Sequence, residues 1–191
     1  MCAVAFSPTR AARLPLVRIA VLIVSVALVA LTITWTYLGM RAVMDIGGAC
    51  ATGGPYVPVQ PCPEGASVML SVAIPVLLLA TFAGTGVAVT MQAPTLLLPM
   101  WVLLFGSLGW NFLEYSFPAE GGVVWGWLVC GIMFEAMALP AAALIVVTGV
   151  RPLPGVAGAQ SGGGRWRWWL LYAAAGAAGL IVGLWSFRSW T

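Results

Sequence analysis

The sequence contains no histidine and no lysine among its 191 residues. Without imidazole it cannot form the Ser-His or Cys-His groupings of hydrolases, a histidine-ligated haem, or the usual zinc and copper sites. Without lysine it cannot form a Schiff base with retinal or pyridoxal phosphate. The sequence therefore predicts no catalytic residues, no metal ligands and no cofactor.

Charged residues are also scarce, at 7% of the chain, whereas hydrophobic residues make up 62%. A typical soluble domain carries about 25% charged residues. The long uncharged runs reach the roughly twenty residues needed to cross about 30 Å of hydrocarbon. We therefore expect the lipid bilayer to surround most of the protein. The net charge of +3 is small and dispersed, so nucleic acid is not expected as a partner.

The apolar runs predict an all-α fold, a polytopic transmembrane helical bundle with five spans. A short turn near Gln92–Pro94 separates the second span from the third, which favours an antiparallel hairpin. The alternative is that one of these two segments is re-entrant and does not cross fully. Residues 1–15 form a cytoplasmic segment and residues 16–191 a single bundle. The predicted spans are 16–39, 67–91, 95–113, 123–148 and 168–187.

Arginine positions set the expected orientation. Six of the eight arginines fall before the first span, in its first turn, or between the fourth and fifth spans, which is one side of a five-span protein. The positive-inside rule makes that side cytoplasmic, with the N-terminus inside and the C-terminus outside. The first apolar run is longer than that of a secretory signal, so we interpret it as a retained anchor. The strong bias toward arginine suggests a GC-rich genome, and we expect a multi-pass protein of a bacterial plasma membrane.

The predicted outer loop, residues 41–66, is rich in glycine and proline and contains Cys50 and Cys62. Because this side is expected to face an oxidising compartment, we predict a Cys50–Cys62 disulfide. A redox-active pair is the alternative, but such pairs favour Cys-x-x-Cys spacing. We expect Cys2 and Cys130 to be reduced or buried thiols.

One pattern in this loop supports a family resemblance. Residues Gly47-Gly48-x-Cys50-x-x-Gly53-Gly54-Pro55-Tyr56, followed by Cys62-Pro63, resemble the corresponding loop of uncharacterised small polytopic membrane proteins of actinobacteria. The resemblance covers this loop and the adjoining span ends. It implies a multi-span protein with an external cysteine loop, and it implies no activity.

Glu135 lies near the middle of the fourth predicted span. An acidic side chain there costs roughly 2.5 to 3.5 kcal/mol on insertion scales, so it should face the bundle interior, find a hydrogen-bond partner or stay protonated. Gly131, Ala138 and Ala142 share its helix face and permit close packing. We favour a carboxyl that joins helices over a proton or cation site, because no second charge lies at that depth. Its candidate partners are Thr81, Thr85, Ser107 and Tyr172.

A second polar cluster lies at the outer end of the third span. Helical spacing places Ser107, Trp110, Asn111 and Glu114 on one face. Arg41 is able to pair with Glu114, and Asp45 offers it a local partner if the first helix continues. We interpret this cluster, centred on Arg41, Asn111 and Glu114, as an interfacial cap.

Residues 149–167 form the predicted cytoplasmic linker, which ends in a cationic and aromatic stretch. The glycines at 162–164 are not followed by the Lys-Ser/Thr of a phosphate-binding loop. The stretch is typical of a membrane-surface anchor that contacts headgroups. Its members are Arg165, Trp166, Arg167, Trp168 and Trp169.

The sequence favours a non-enzymatic accessory, assembly or scaffold subunit of a membrane complex, with a partner membrane protein or a second copy of the chain as partner. Small-residue helix faces support this interpretation; examples are Ala80, Gly84 and Ala88 and, on the last span, Ala175, Gly179 and Gly183. The alternative is a small transporter or channel that uses Glu135. A third class, a membrane-embedded redox or lipid-modifying enzyme, lacks an activated nucleophile or acidic metal motif.

Overall fold

The computed structural model describes residues 8–48, 50, 61–91, 93–118, 121–150 and 165–190. These residues contain five helices and no strand, and each helix is long and apolar enough to cross a membrane. The prediction of an all-α bundle with five spans is therefore confirmed; the orientation of the termini stays a prediction. The helices are α1 (Pro8–Asp45), α2 (Ala66–Thr90), α3 (Leu97–Tyr115), α4 (Trp125–Val150) and α5 (Arg165–Trp190).

The first helix is the centre of the bundle. It packs extensively against α2 and α5 and also contacts α3. The two flanking helices have fewer neighbours: among the described helices, α4 packs mainly on α3 and α5 mainly on α1. The expected pairing of α2 with α3 is minor, because each of them contacts α1 more than it contacts the other. We call the end of the bundle that holds Cys50 and Cys62 the cysteine end, and the opposite end the linker end.

Small residues explain why α1 accepts two close neighbours. A Cβ placed on Gly179 of α5 would collide with the backbone of Ala27, and one on Gly183 would lie 3.0 Å from the Thr34 Cβ. On the other side of α1, a Cβ on Gly84 would lie 2.8 Å from the Ser25 Cβ. Close approach of this kind is the main source of helix association in lipid, where apolar side chains gain nothing by leaving the solvent.

Hydroxyl groups along α1 are satisfied inside the helix. Thr32, Thr34 and Thr36 each donate to the carbonyl four residues earlier, at 2.7 to 2.8 Å. Such local bonds matter in a membrane, because no water is present to replace them. One hydrogen bond joins α1 to α5 near the cysteine end, from Trp35 Nε1 to Ser186 Oγ at 2.9 Å.

The first helix ends later than the sequence predicted. It continues to Asp45, so Arg41 and Asp45 are both helical and the connection to α2 begins only at residue 46. Two backbone bonds end it, from Gly47 N to Met44 O and from Gly48 N to Val43 O, each 3.0 Å. This is the Schellman arrangement, in which a residue with positive φ follows the helix. Gly47 meets that requirement with a φ of 98°.

Candidate functional site

The polar and aromatic residues of the cysteine end converge where α1, α3 and α4 meet. Cys50 and Cys62 form a disulfide with a Cα–Cα distance of 4.8 Å, so the predicted pairing is confirmed. It joins the segment after α1 to the segment before α2. Residues 51–60, which carry much of the actinobacterial pattern, lie outside the described part of the chain.

The segment after α1 lies directly on α4. A Cβ placed on Gly48 would be 2.8 Å from Cζ2 of Trp127, and the residue has a φ of 79°. Only glycine meets both conditions without strain. The contact therefore fixes the Trp127 ring against the end of α1.

Arg41 forms the main ionic contact at this end. Its Nη1 and Nη2 donate to Oε2 and Oε1 of Glu114 at 2.5 and 2.9 Å, which is a bidentate pair between α1 and α3. Nη1 also lies 3.2 Å from the Tyr37 hydroxyl and 3.4 Å from Oδ1 of Asn111. The guanidinium carbon lies 5.7 and 5.3 Å from the ring centroids of Tyr37 and Tyr115. Arg41 is thus held by one carboxylate and two aromatic rings.

Asn111 is the buried member of this group. Its side chain is fully buried, and Nδ2 donates to the Tyr37 carbonyl at 3.2 Å while Oδ1 faces Arg41. Its neighbour Trp110 is 61% exposed, and the Ser107 hydroxyl donates to the Leu104 carbonyl of its own helix. Of the residues predicted to share one face of α3, Asn111 therefore faces the bundle interior and Trp110 faces the surroundings.

Asp45 does not pair with Arg41, although both lie on α1 four residues apart. The Tyr115 hydroxyl instead donates to Oδ1 of Asp45. The Tyr115 ring meets the Trp127 ring edge-on, with centroids 6.2 Å apart and planes at 77°. Sequence reasoning did not single out Tyr37, Tyr115 or Trp127. The only signal available for one of them was the spacing of four between Tyr37 and Arg41.

Ser116, the first residue after α3, is fully buried and holds the connection between α3 and α4 in place. Ser116 donates through its hydroxyl to the Leu113 carbonyl at 2.7 Å, and its own carbonyl accepts from Val124 N at 3.0 Å. This bond brings the end of α3 next to the start of α4. It therefore places Tyr115 and Trp127 side by side.

These contacts leave an open cleft of about 660 Å³ at the cysteine end. Its floor and walls come from α1, α3, the following connection and α4. The cleft is lined by Arg41, Met44, Asp45, Gly47, Glu114, Tyr115, Phe117, Pro118 and Trp127. Its lining combines three charged side chains with three aromatic rings.

Glu135 lies elsewhere, on the face of α4 that packs against α3. Its Oε1 would be 2.7 Å from a Cβ on Gly109, so the glycine makes room for the carboxyl. Gly131 and Ala138 are buried on the same face, where a Cβ on Gly131 would meet Leu113 at 2.8 Å. The carboxyl forms no hydrogen bond or ion pair with the described residues.

Three of the four residues suggested as partners of Glu135, namely Thr81, Ser107 and Tyr172, donate to backbone carbonyls instead. The hydroxyls of Thr81 and Tyr172 donate to backbone carbonyls, those of Leu77 at 2.7 Å and Pro94 at 2.6 Å. The Thr85 hydroxyl is buried and has no partner in the part of the chain that the structure describes. The structure thus brings Glu135 together with α3 and not with α2 or α5.

The predicted membrane-surface anchor forms the first turns of α5 at the linker end. Trp166 and Trp169 are exposed, whereas Trp168 packs against the apolar cluster around Leu22 and Ala175. The rings of Trp168 and Trp169 both lie within 6.5 Å of the Tyr172 ring. Arg167 is exposed. For Arg165 the structure describes the helical backbone only, and residues 151–164 of the linker lie outside the described residues.

The remaining cysteines and acids of the described residues form no cluster that could hold a metal ion. Among the described residues no three His, Cys, Asp or Glu side chains come together. Cys130 is exposed on α4, while Cys2 and Glu120 fall outside the described residues. Comparison of the chain with protein-family models, with curated proteins and with solved structures gives no match.

Proposed function

We propose that this integral membrane protein is a non-enzymatic accessory, assembly or scaffold subunit that binds a helix of another membrane protein. The observation that carries the proposal is a second small-residue face on α5. Ala175, Gly179 and Gly183 of that helix are buried, and the two glycines meet α1. Four exposed alanines form the other face, and we call them the open alanine face: Ala173, Ala174, Ala177 and Ala178.

The open alanine face differs from the rest of the exposed surface of α5. Beyond it the helix presents bulky side chains to its surroundings, with Ile181 at 64% and Trp185 at 72% exposure. Gly176, beside the alanines, has open space where a Cβ would stand. Small side chains let two helix backbones approach closely in a membrane, whereas bulky ones suit contact with lipid. A partner helix therefore fits the middle of α5.

The test is native purification in mild detergent followed by mass spectrometry. The wild-type protein is expected to retain a reproducible partner chain or a second copy of itself. The double substitution Ala177→Leu and Ala178→Leu fills the open alanine face and should release that partner. Ala136→Leu with Ala143→Leu is the matched control, because these exposed alanines lie on α4. A lone wild-type chain, or equal loss of the partner in both double variants, contradicts the proposal.

A second candidate function is transport through a path that includes Glu135. The observation in its favour is that this carboxyl lies in a flanking helix, which packs mainly on α3 among the described helices. Several copies of the chain would then bring several carboxyls around one path, and intramembrane acids commonly mark such paths.

Flux measurements in proteoliposomes distinguish the two functions. Proton or cation flux that Glu135→Gln abolishes supports transport, provided that the variant keeps its oligomeric state. Absence of flux in the wild-type protein, or flux that the substitution leaves unchanged, removes this mechanism and leaves the accessory role as the better account.

A further inference from the structure

The cleft at the cysteine end has a net negative lining that its internal contacts do not neutralise. Among the described residues that line it, the charged ones are Arg41, Asp45 and Glu114, one cation against two anions. Arg41 directs both terminal nitrogens at Glu114, so these two cancel each other. Asp45 receives one hydrogen bond, from the neutral Tyr115 hydroxyl. The charge that remains on the described lining is therefore that of the Asp45 carboxylate.

The rest of the lining is aromatic and apolar. Tyr115, Phe117 and Trp127 form its walls, and Met44 and Pro118 contribute apolar surface. Aromatic rings attract cations through their negative faces, and the attraction is largest when the cation has few bound waters. An alkylated ammonium group has a diffuse charge and an apolar surface. This combination suits a carboxylate between aromatic walls better than it suits a small inorganic cation.

An anion is the obvious competitor, because an arginine lies in the cleft. To bind Arg41 it would have to displace the bidentate carboxylate of Glu114 and approach Asp45 as well. Both steps oppose binding, since a like charge repels the anion and Glu114 already occupies the donor fork. The volume of about 660 Å³ accommodates an organic group larger than a metal ion.

We propose that this cleft binds an organic ammonium group, carried by a soluble amine or by the headgroup of a lipid. Asp45 supplies the counter-charge, and Tyr115 and Trp127 supply the ring surfaces. The contact of Gly48 with Trp127 holds the wall in position. This inference does not depend on the accessory role, because the cleft and the open alanine face lie on different helices.

The first experiment measures calorimetric binding of choline to the intact protein in a neutral maltoside detergent. The comparison ligand is 3,3-dimethylbutan-1-ol, which has the same shape without the charge. Choline is expected to bind at least tenfold more tightly than the alcohol. Asp45→Asn should weaken choline binding at least tenfold, because it keeps the size and the acceptor oxygen but removes the charge.

One variant separates a loss of binding from a loss of folding. Glu135→Gln removes a carboxylate from the α3–α4 contact outside the cleft and should leave choline binding unchanged. Equal binding of choline and the alcohol, no binding of either ligand together with no selective lipid retention, or undiminished binding by Asp45→Asn overturns the proposal.

A second experiment identifies the source of the ammonium group. The protein is extracted from bilayers with equal amounts of phosphatidylcholine and phosphatidylglycerol, and native mass spectrometry counts the retained lipids. Selective retention of phosphatidylcholine that is lost in Asp45→Asn but kept in Glu135→Gln assigns a lipid headgroup. Choline binding without such retention assigns a soluble amine.

Discussion

At the scale of single residues, the two adjacent glycines after α1, Gly47 and Gly48, are required for different structural reasons. Both have positive φ, but a Cβ on Gly47 would meet nothing within 4 Å, whereas one on Gly48 would meet Trp127 at 2.8 Å. Gly47 is needed for backbone conformation alone. Gly48 is needed for conformation and for space.

This difference predicts the order of two substitutions. Gly47→Ala should cost about 1–3 kcal/mol of unfolding free energy from its backbone conformation. Gly48→Ala should cost that amount plus about 1–3 kcal/mol for the overlap with the Trp127 ring. Thermal unfolding of the purified variants in detergent gives the comparison. Trp127→Ala should recover part of the loss in Gly48→Ala and none of it in Gly47→Ala; equal effects on both would refute the steric argument.

Burial predicts that an uncharged residue contributes more to stability than the ion pair beside it. Asn111 is fully buried, so Asn111→Ala should cost about 1–3 kcal/mol through unpaired polar groups. The side chains of Arg41 and Glu114 are 29% and 44% exposed, so Glu114→Gln should cost only about 0–1 kcal/mol. Denaturant titration in mild detergent measures both. A larger loss in Glu114→Gln than in Asn111→Ala would show that the ion pair is effectively buried.

Some of this cluster could be predicted from sequence and some could not. Arg41 and Glu114 were recognised as able to pair because both fall at the same end of their spans. The sequence also offers Asp45 as a local partner if the first helix continues, since it lies four residues later. The basic residue precedes the acid in that pair, which is the weaker order on a helix. In addition, the Asp45 carboxylate accepts a hydrogen bond from the Tyr115 hydroxyl of α3. That choice depends on the rotation of α3 against α1, which no local pattern encodes.

At the scale of helices, the α3–α4 contact gives a matched pair of glycines one turn apart. A Cβ on Gly109 would lie 2.7 Å from Oε1 and 2.9 Å from Cγ of Glu135, whereas one on Gly106 would lie 3.9 Å from the Ala138 Cβ. The first contact is too close and the second is ordinary van der Waals contact. Of these two positions in the α3–α4 contact, Gly106 therefore accepts a larger side chain and Gly109 does not.

We predict that Gly109→Ala destabilises the protein by about 1–3 kcal/mol through overpacking. Gly106→Ala should be neutral or should stabilise it by up to about 1 kcal/mol, because alanine favours helix. Unfolding of the two variants under identical detergent conditions decides the matter. Adding Glu135→Ala should restore stability to Gly109→Ala. Failure of that rescue would mean that Glu135 does not occupy the space beside Gly109.

Helix number and character could be predicted because they depend on composition and length alone. Helix ends and neighbours could not. The first helix extends beyond its predicted end because its C-terminal bonds are formed by Gly47 and Gly48. The sequence does not reveal this role, because glycine pairs are also common within loops. The expected pairing of α2 with α3 rested on their short connection, yet both helices pack more on α1. Shape complementarity at positions such as Gly84 and Ser25 decides that preference, and it appears only once the helices face each other.

At the scale of the whole molecule, the orientation is the prediction that most affects function, because it sets the compartment of the cleft. Arginine placement predicts that the cysteine end faces outward and the linker end faces the cytoplasm. In a background of Cys2→Ser and Cys130→Ser, a cysteine at Ser189 should react with an impermeant maleimide in intact cells. A cysteine at Ser161 should react only after lysis. The reverse labelling pattern would mean that the cysteine end faces the cytoplasm, so that the disulfide would lie in a reducing compartment.

The central position of α1 has a consequence for biosynthesis. The helix α5 packs on α1 but leaves the ribosome after α2, α3 and α4, so the groove beside Ala27 that receives Gly179 must stay available while those three helices are inserted. During that interval lipid, the insertion machinery or a foreign helix is free to occupy the groove. Correct maturation of this chain thus depends on a competition that is settled only when α5 reaches α1.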